Sequence, residues 1–317
     1  MKVLVTGGAG FIGSHIVEHL LEREDVEEVR VLDNFSTGFK RNIEPFFSNP
    51  KFRLIEGDIR SVEDCEKAVE GVDAVSHQAA LGSVPRSIND PITSHNVNVN
   101  GFLNILEAVR KYGVKKMVYA SSSSVYGDLA DSPKVEERTG KLLSPYAATK
   151  MANELYAEVY AKNYGIQICG FRYFNVFGPR QDPDGPYAAV IPLFIKSALE
   201  NRQPIINGDP NISRDFTYVS NAVKANLAGI FLFGDHVHEV FNIACGKATS
   251  LLKIWELISE SELECQKPLI GPPRKGDIKF SLADIQKATS LLKYIDLVQL
   301  EDGLRKTKKF YKYNFTS

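Results

Sequence analysis

Val3-Leu-Val-Thr-Gly7-Gly-Ala-Gly10-Phe-Ile-Gly13 opens the chain with a short apolar run, three glycines spaced three apart, and the start of a helical pattern. Strand, glycine turn and helix in that order form the entry of a dinucleotide-binding βαβ unit. The first glycine permits a sharp turn, the second lets the backbone approach a pyrophosphate, and the third allows close helix–strand packing. The helix N-terminus then faces the phosphates with unpaired N–H groups and a positive dipole end. A purely structural turn can carry the same triplet, so the neighbouring residues decide. Asp33 falls 20 residues after Gly13, at the end of the apolar run Val29–Asp33. A carboxylate there accepts hydrogen bonds from a ribose 2′-hydroxyl and repels a 2′-phosphate, which predicts NAD rather than NADP. The loop from Asn34 through Ser36 to Gly38 has no obvious phosphate clamp, although Lys40 and Arg41 follow.

Outward from this stretch, strand and helix patterns alternate. Lys2–Thr6, Val29–Asp33, Ala74–His77, Lys116–Ser121 and Ile166–Tyr173 read as buried strands. Phe11–Glu22, Ser61–Val69 and Ile92–Tyr112 have helical spacing, and Ser144-Pro145 can cap and begin a helix that Gly165 ends. Such βαβ units predict an α/β fold, a doubly wound parallel sheet of Rossmann type. Beyond Phe177 the prolines and glycines of 178–192 read as a loop-rich surface. The expected division is an NAD-binding domain at 1–175. A smaller α/β substrate-binding lobe follows at 176–317, with some of its segments returning to the first domain. Later helices are expected around Ser220–Phe233, Ser250–Ser259 and Leu282–Leu292.

Composition excludes several classes. The 317 residues carry 38 Lys+Arg against 39 Asp+Glu, a net charge of −1, so no electrostatic footprint for nucleic acid exists. Four scattered cysteines (Cys65, Cys169, Cys245, Cys265) form no CxxC and no Cys/His zinc pattern. Neither a disulfide scaffold nor a metal site is expected. No apolar run reaches transmembrane length, and the apolar start breaks too early for a signal peptide, so a cytoplasmic protein is expected. The basic, aromatic run from Arg305 to Tyr313 reads as a solvated helix end rather than a membrane anchor.

Tyr146-Ala-Ala-Thr-Lys150 places a phenol and an ammonium on one helix face. A free phenol, with a pKa of about 10, is a poor base at neutral pH; bringing it there requires about 4 kcal/mol, which a neighbouring ammonium and a nicotinamide cation would help supply. Such a tyrosinate can accept a hydroxyl proton while the carbinol hydride departs. The serine run Ser121–Ser124 ends the preceding strand and offers a hydroxyl to share that proton bridge.

The glycine triplet, Ser123-Ser-Val-Tyr-Gly127 and the Tyr146/Lys150 pair together resemble the extended short-chain dehydrogenase/reductase family, across essentially the whole chain. Within it the sequence is similar to the UDP-hexose 4-epimerase branch. Ala80-Leu-Gly-Ser-Val-Pro-Arg-Ser-Ile-Asn-Asp-Pro91 resembles UDP-N-acetylglucosamine 4-epimerases of bacterial surface-polysaccharide pathways. The resemblance implies Ser122 as catalytic hydroxyl, Tyr146 as base and Lys150 as the residue orienting nicotinamide ribose. It implies NAD contacts at Gly7, Gly10, Phe11, Ile12, Gly13, Asp33, Asn34, Ser36 and Gly38. Further contacts are implied at Asp58, Ile59, Gln78, Ala79, Ala80, Tyr146, Lys150 and Tyr173. For the UDP-sugar it implies Ser83, Ser122, Ser123, Tyr146, Asn175, Ala189, Val190 and Asn207. Arg214 and Arg274 are implied for the diphosphate, with Asp277 and Ser281 nearby.

Two positions depart from related galactose epimerases. Gly82 stands where those have a lysine near the cofactor, and Ser281 where they have a bulky tyrosine lining the sugar pocket. A serine leaves room for a 2-acetamido group, so interconversion of UDP-GlcNAc and UDP-GalNAc is expected, with UDP-glucose and UDP-galactose as further substrates. The alternatives are a uronate epimerase, a decarboxylase or dehydratase on the same scaffold, or a non-enzymatic nucleotide sensor. Sugar dehydratases need an Asp-Glu pair where this chain has Ser123 and Ser124, which opposes elimination. Family members commonly form homodimers through the helices at Ile92–Tyr112 and after Tyr146, and the same is expected here.

Overall fold

The structure, a computed structural model, describes residues 1–234, 237–260, 266–272 and 280–315. Arg274, Asp277 and Cys265 lie outside the described residues. Six strands arise in the first 173 residues: β1 (Lys2–Thr6), β2 (Glu28–Asp33), β3 (Phe52–Glu56), β4 (Ala74–His77), β5 (Lys116–Ser122) and β6 (Gln167–Tyr173). A seventh strand, His238–Ile243, adds beside β6. The spatial order is His238–Ile243, β6, β5, β4, β1, β2, β3, every neighbour parallel. The fold is therefore of Rossmann type, and its strand order reverses between β1 and β4, where a crevice opens at the strand ends.

Alternation along each strand feeds two cores. Val3, Val5, Val29, Val31, Val118 and Phe171 face α1 (Phe11–Leu21) and the later helices Val219–Phe231 and Gln286–Leu292. Leu4, Leu32, Val75, Met117 and Ile168 face the opposite layer: α2 (Val62–Val69), α5 (Gly101–Lys111) and α6 (Pro145–Tyr164). The helix expected at Ile92–Tyr112 is broken into α4 (Pro91–His95), a π turn at Asn96–Asn100, and α5; a preceding helix, α3, spans Val84–Asn89. The ends of α6 obey its local sequence. The Ser144 hydroxyl accepts the Ala147 N–H at 3.2 Å, Pro145 takes the first turn, and Gly165 adopts φ +64°.

A third core lies beyond Phe177. Ile191, Phe194, Ile206, Phe216, Trp255 and Tyr311 pack together, with short strands around them at Ile205–Asn207, Ser213–Asp215 and Leu269–Gly271. The prolines and glycines of 178–192 predict loop, but a helix, Val190–Leu199, begins inside that stretch. Pro192 sits in its first turn, where a missing N–H costs nothing. The expected helix at Leu282–Leu292 begins only at Gln286, because Phe280–Ser281 instead joins Ser213–Asp215 as a strand.

Candidate active site

The crevice at the strand reversal is a cavity of about 420 Å3. Its walls include the glycine loop after β1, the end of β2, the residues after β4, the end of β5, Tyr146 and Lys150 of α6, and Tyr173. Gly7 has φ +67°, and a Cβ on it would stand 2.7 Å from the Ala79 nitrogen. A Cβ on Gly13 would stand 2.1 Å from the Gly7 carbonyl oxygen. The loop is therefore locked against α1 and against the strand across the reversal. Gly10 enters the helix with no side-chain cap, which leaves the first N–H groups of α1 open to the cavity.

Asp33 is buried, and its two carboxylate oxygens accept the N–H groups of Phe35 at 2.8 Å and Ala9 at 2.9 Å. Burial nonetheless pushes its carboxyl above the usual range, the two backbone bonds opposing it. The Asn34 amide donates to Asp58 at 2.8 Å, and bonds from Arg60 hold the Asp58 carboxyl down to about 2. Ile59, Gln78, Ala79, Ala80, Ser36 and Gly38 complete this half of the wall, with Phe11 and Ile12. All the residues expected to bind the cofactor are thus brought together.

Sequence reasoning missed Thr37, Leu81, Ala120, Val176 and Gln181, which also line the cavity, and Asn226 behind it. Asn226 donates to the Tyr173 hydroxyl at 2.6 Å and accepts from the Gln78 amide at 2.9 Å, while the Tyr173 hydroxyl donates to Gln78 Oε1 at 3.1 Å. Asn226 lies on the distant helix Val219–Phe231, so no local motif could have flagged it. The Gln181 Oε1 atom is buried on the cavity wall without a hydrogen-bond partner.

At the inner end, the Ser122 hydroxyl accepts the Ser124 N–H at 3.1 Å and hydrogen-bonds the Tyr146 phenol. Lys150 is buried and donates to the Ala120 carbonyl at 2.7 Å. Burial pulls its amine down to about 8, with the Glu154 charge opposing that fall. Enclosure pushes the Tyr146 phenol above 10, and the Ser122 bond pulls it back only in part. Residue spacing predicts a lysine that lowers the phenol; in the protein alone burial dominates.

A second cavity, about 790 Å3, opens from the first at the shared residues Asn175 and Val176. Ser83, Ala189, Val190, Asn207 and Arg214 line it. Asn175, at φ +35°, donates to the Asp215 carbonyl at 3.0 Å. Ser123 lies half-buried beside Ser122 and lines neither cavity. Ser281 is buried in the strand next to Arg214, with which it is in register, and also lines neither. Among the described residues no cluster of His, Cys, Asp or Glu could hold a metal, and no helix is long and apolar enough to cross a membrane.

The family model for NAD dependent epimerase/dehydratase proteins matches residues 3–244. The UDP-glucose 4-epimerase of Mycolicibacterium smegmatis is 35% identical over 314 residues, covering 98% of this chain and 99% of its own. The structure of the UDP-N-acetylglucosamine 4-epimerase from Methanobrevibacter ruminantium, in complex with UDP-N-acetylmuramic acid, superposes with a TM-score of 0.90 at 38% identity, covering 98% of each chain. That of the Thermus thermophilus UDP-glucose 4-epimerase in complex with NAD gives 0.88 at 35% identity, covering 99% of this chain and 100% of that one.

Proposed function

The chain belongs to the NAD dependent epimerase/dehydratase family, and from that premise we propose that it interconverts UDP-GlcNAc and UDP-GalNAc by 4-epimerisation, with UDP-glucose and UDP-galactose as further substrates. One observation carries the reading: the Tyr146–Ser122 pair sits in a cofactor-shaped crevice that opens, at Asn175, into a second cavity large enough for a nucleotide sugar. The glycine cradle, the Asp33 carboxylate and the partnerless Gln181 oxygen fit a dinucleotide. When bound there, NAD would supply a reversible hydride acceptor for the sugar C4.

The chain's own residues do the rest. Tyr146 accepts the proton of the C4 hydroxyl and later gives it back. Ser122, already bonded to the phenol, shares that proton bridge. The Lys150 ammonium stabilises the phenolate, a task that the enclosure of Tyr146 makes necessary. Arg214 and Asn207, with Ser83, Ala189 and Val190, hold the UDP portion, while the sugar turns over to present its other face. Ser123 and Ser281 line neither cavity, and in this reading Ser281 affects acetamido tolerance through the room its small side chain leaves beside Arg214. Residues 1–175 form the cofactor domain in this reading, and 176–317 mainly the substrate lobe. A homodimer through α4 and α6 would cover Ile92, Leu155 and Val159, which are 72%, 59% and 54% exposed.

The test is product analysis on the purified protein with UDP-GlcNAc and UDP-glucose side by side, and UDP-glucuronate as a third substrate. Epimers without net NADH are expected from the first two. A dehydrated sugar, release of CO2 from the uronate as the main reaction, or stoichiometric NADH would overturn the proposal.

A further inference from the structure

Behind Lys150 lies a buried ion pair that the reaction as described does not use. Glu154 follows Tyr146 and Lys150 at two and one turns along α6, so the three share a face. Its carboxylate accepts two bonds from Arg172 of β6, from Nε at 3.0 Å and from Nη2 at 2.7 Å, and a short third bond from the Ser121 hydroxyl of β5. Both charged side chains are buried. Ser121 and Arg172 are register partners, and the next pair in register is Ser122 with Tyr173, both on the cavity wall.

Three ties therefore run from one face of α6 to the end of β5: Tyr146 to Ser122, Lys150 to the Ala120 carbonyl, and Glu154 to Ser121. Stability alone is a poor reason for the third, because a buried ion pair is commonly no better than the apolar pair that could replace it. We propose, on the reading of Tyr146 and Lys150 given above, that Glu154 is a positioning residue for the reaction. Anchored by Arg172, its carboxylate holds the serine end of β5 against α6 and provides the counter-charge to the Lys150 ammonium.

The electrostatics agree with the geometry. Among the described residues Glu154 is the charge that holds the Lys150 amine up against its burial, while His77 of β4, which also faces Lys150, is kept neutral. Around Glu154 itself stand Arg172, Glu136 and Glu137 from the segment before α6, and Glu158 on α6. His238 and Glu239 of the seventh strand, Lys287 of the helix Gln286–Leu292 and the buried Tyr119 phenol of β5 also face it. Without the Glu154 charge the lysine loses its proton at a lower pH, and the alkaline limb of turnover descends with it.

Steady-state kinetics across pH test this in the NAD-loaded protein. Glu154→Gln should lower kcat about tenfold or more, move the alkaline limb of kcat down by about one pH unit, and leave KM for the UDP-sugar nearly unchanged. Glu154→Asp should restore the limb. The double variant Glu154→Met with Arg172→Met removes the pair together, should melt near the wild type, and should keep the displaced limb. A wild-type limb in the double variant, or a lowered kcat with an unmoved pH profile in Glu154→Gln, overturns the inference. Tyr146→Phe is measured alongside. Turnover surviving in it condemns the underlying reading, whereas its loss beside a wild-type profile in the Glu154 variants condemns this inference alone.

Discussion

The Nζ atom of Lys150 lies 5.9 Å from the ring centre of Tyr146, one turn away on α6, and it hydrogen-bonds the carbonyl oxygen of Ala120. The ammonium thus stands near the phenol ring, at a position fixed by the strand. Against it stands the burial that keeps the phenol protonated in the protein alone. On the proposed reading, the Lys150 ammonium and a bound cofactor cation together offset that burial.

Tyr146→Phe should therefore lower kcat by about 100-fold or more while NAD content and UDP-sugar affinity stay near wild type. The ring and its packing survive, and only the proton acceptor is lost. Kinetics with cofactor release by denaturation checks both halves; near-native turnover would move the base to the serine cluster.

Gly13→Ala should compromise the crevice itself. Its Cβ would meet backbone, the Gly7 carbonyl at 2.1 Å, and backbone cannot swing aside like a side-chain tip. Overpacking of this kind costs about 1–3 kcal/mol. A lower Tm and a purified protein depleted of NAD are expected. Full NAD occupancy with an unchanged Tm would show that the loop can relax.

Ser281→Tyr should suppress kcat/KM for the UDP-GlcNAc/UDP-GalNAc pair about tenfold or more relative to the UDP-glucose/UDP-galactose pair, since ~1.4 kcal/mol of steric cost is a factor of ten. Ser281 is buried beside Arg214, which lines the second cavity, rather than on a cavity wall itself, so the added ring would act on the sugar by displacing that strand. Equal loss on both pairs would mean general disruption of the strand, and no loss on either would remove Ser281 from specificity.

His77 gives an acid-sensitive contribution to stability. Burial, aided by the Lys150 charge, depresses its pKa from 6.5 to about 3. The unfolded chain takes up a proton that the folded chain refuses, so the stabilisation is complete above pH 6.5 and is lost as pH falls toward 3. Asp215, raised to about 6 by burial, works the other way: its contribution is full below 3.8 and lost as pH rises through 6. A titration-free variant, His77→Gln, isolates the first effect. Its Tm should fall less than the wild-type Tm between pH 7 and about pH 4.5; parallel curves would refute the assignment.

Leu155→Glu combined with Val159→Glu should leave a folded monomer in sedimentation velocity, since a charge on an exposed face does little to a monomer but opposes burial in an interface. An unchanged sedimentation coefficient would place any dimer contact elsewhere.

The parts whose cause is local were legible in the residues alone. The glycine triplet makes the tight turn, short apolar runs make the buried strands, and a serine cap with a terminal glycine delimits α6; each is a near-neighbour effect visible in a dozen residues. The Tyr146–Lys150 spacing likewise fixes a shared helix face. Tertiary structure alone decided what depends on distant segments meeting. Asn226 reaches Tyr173 and Gln78 only because the helix Val219–Phe231 covers the sheet. The strand His238–Ile243 could not be paired with β6 before the fold existed. The helix Val190–Leu199 was hidden by Pro192, although Ile191, Phe194, Ile195 and Ala198 carry its apolar face. Even the sign of the phenol's shift reversed. Spacing predicts a helpful cation, but desolvation is set by everything packed around Tyr146, and no window of sequence contains that sum.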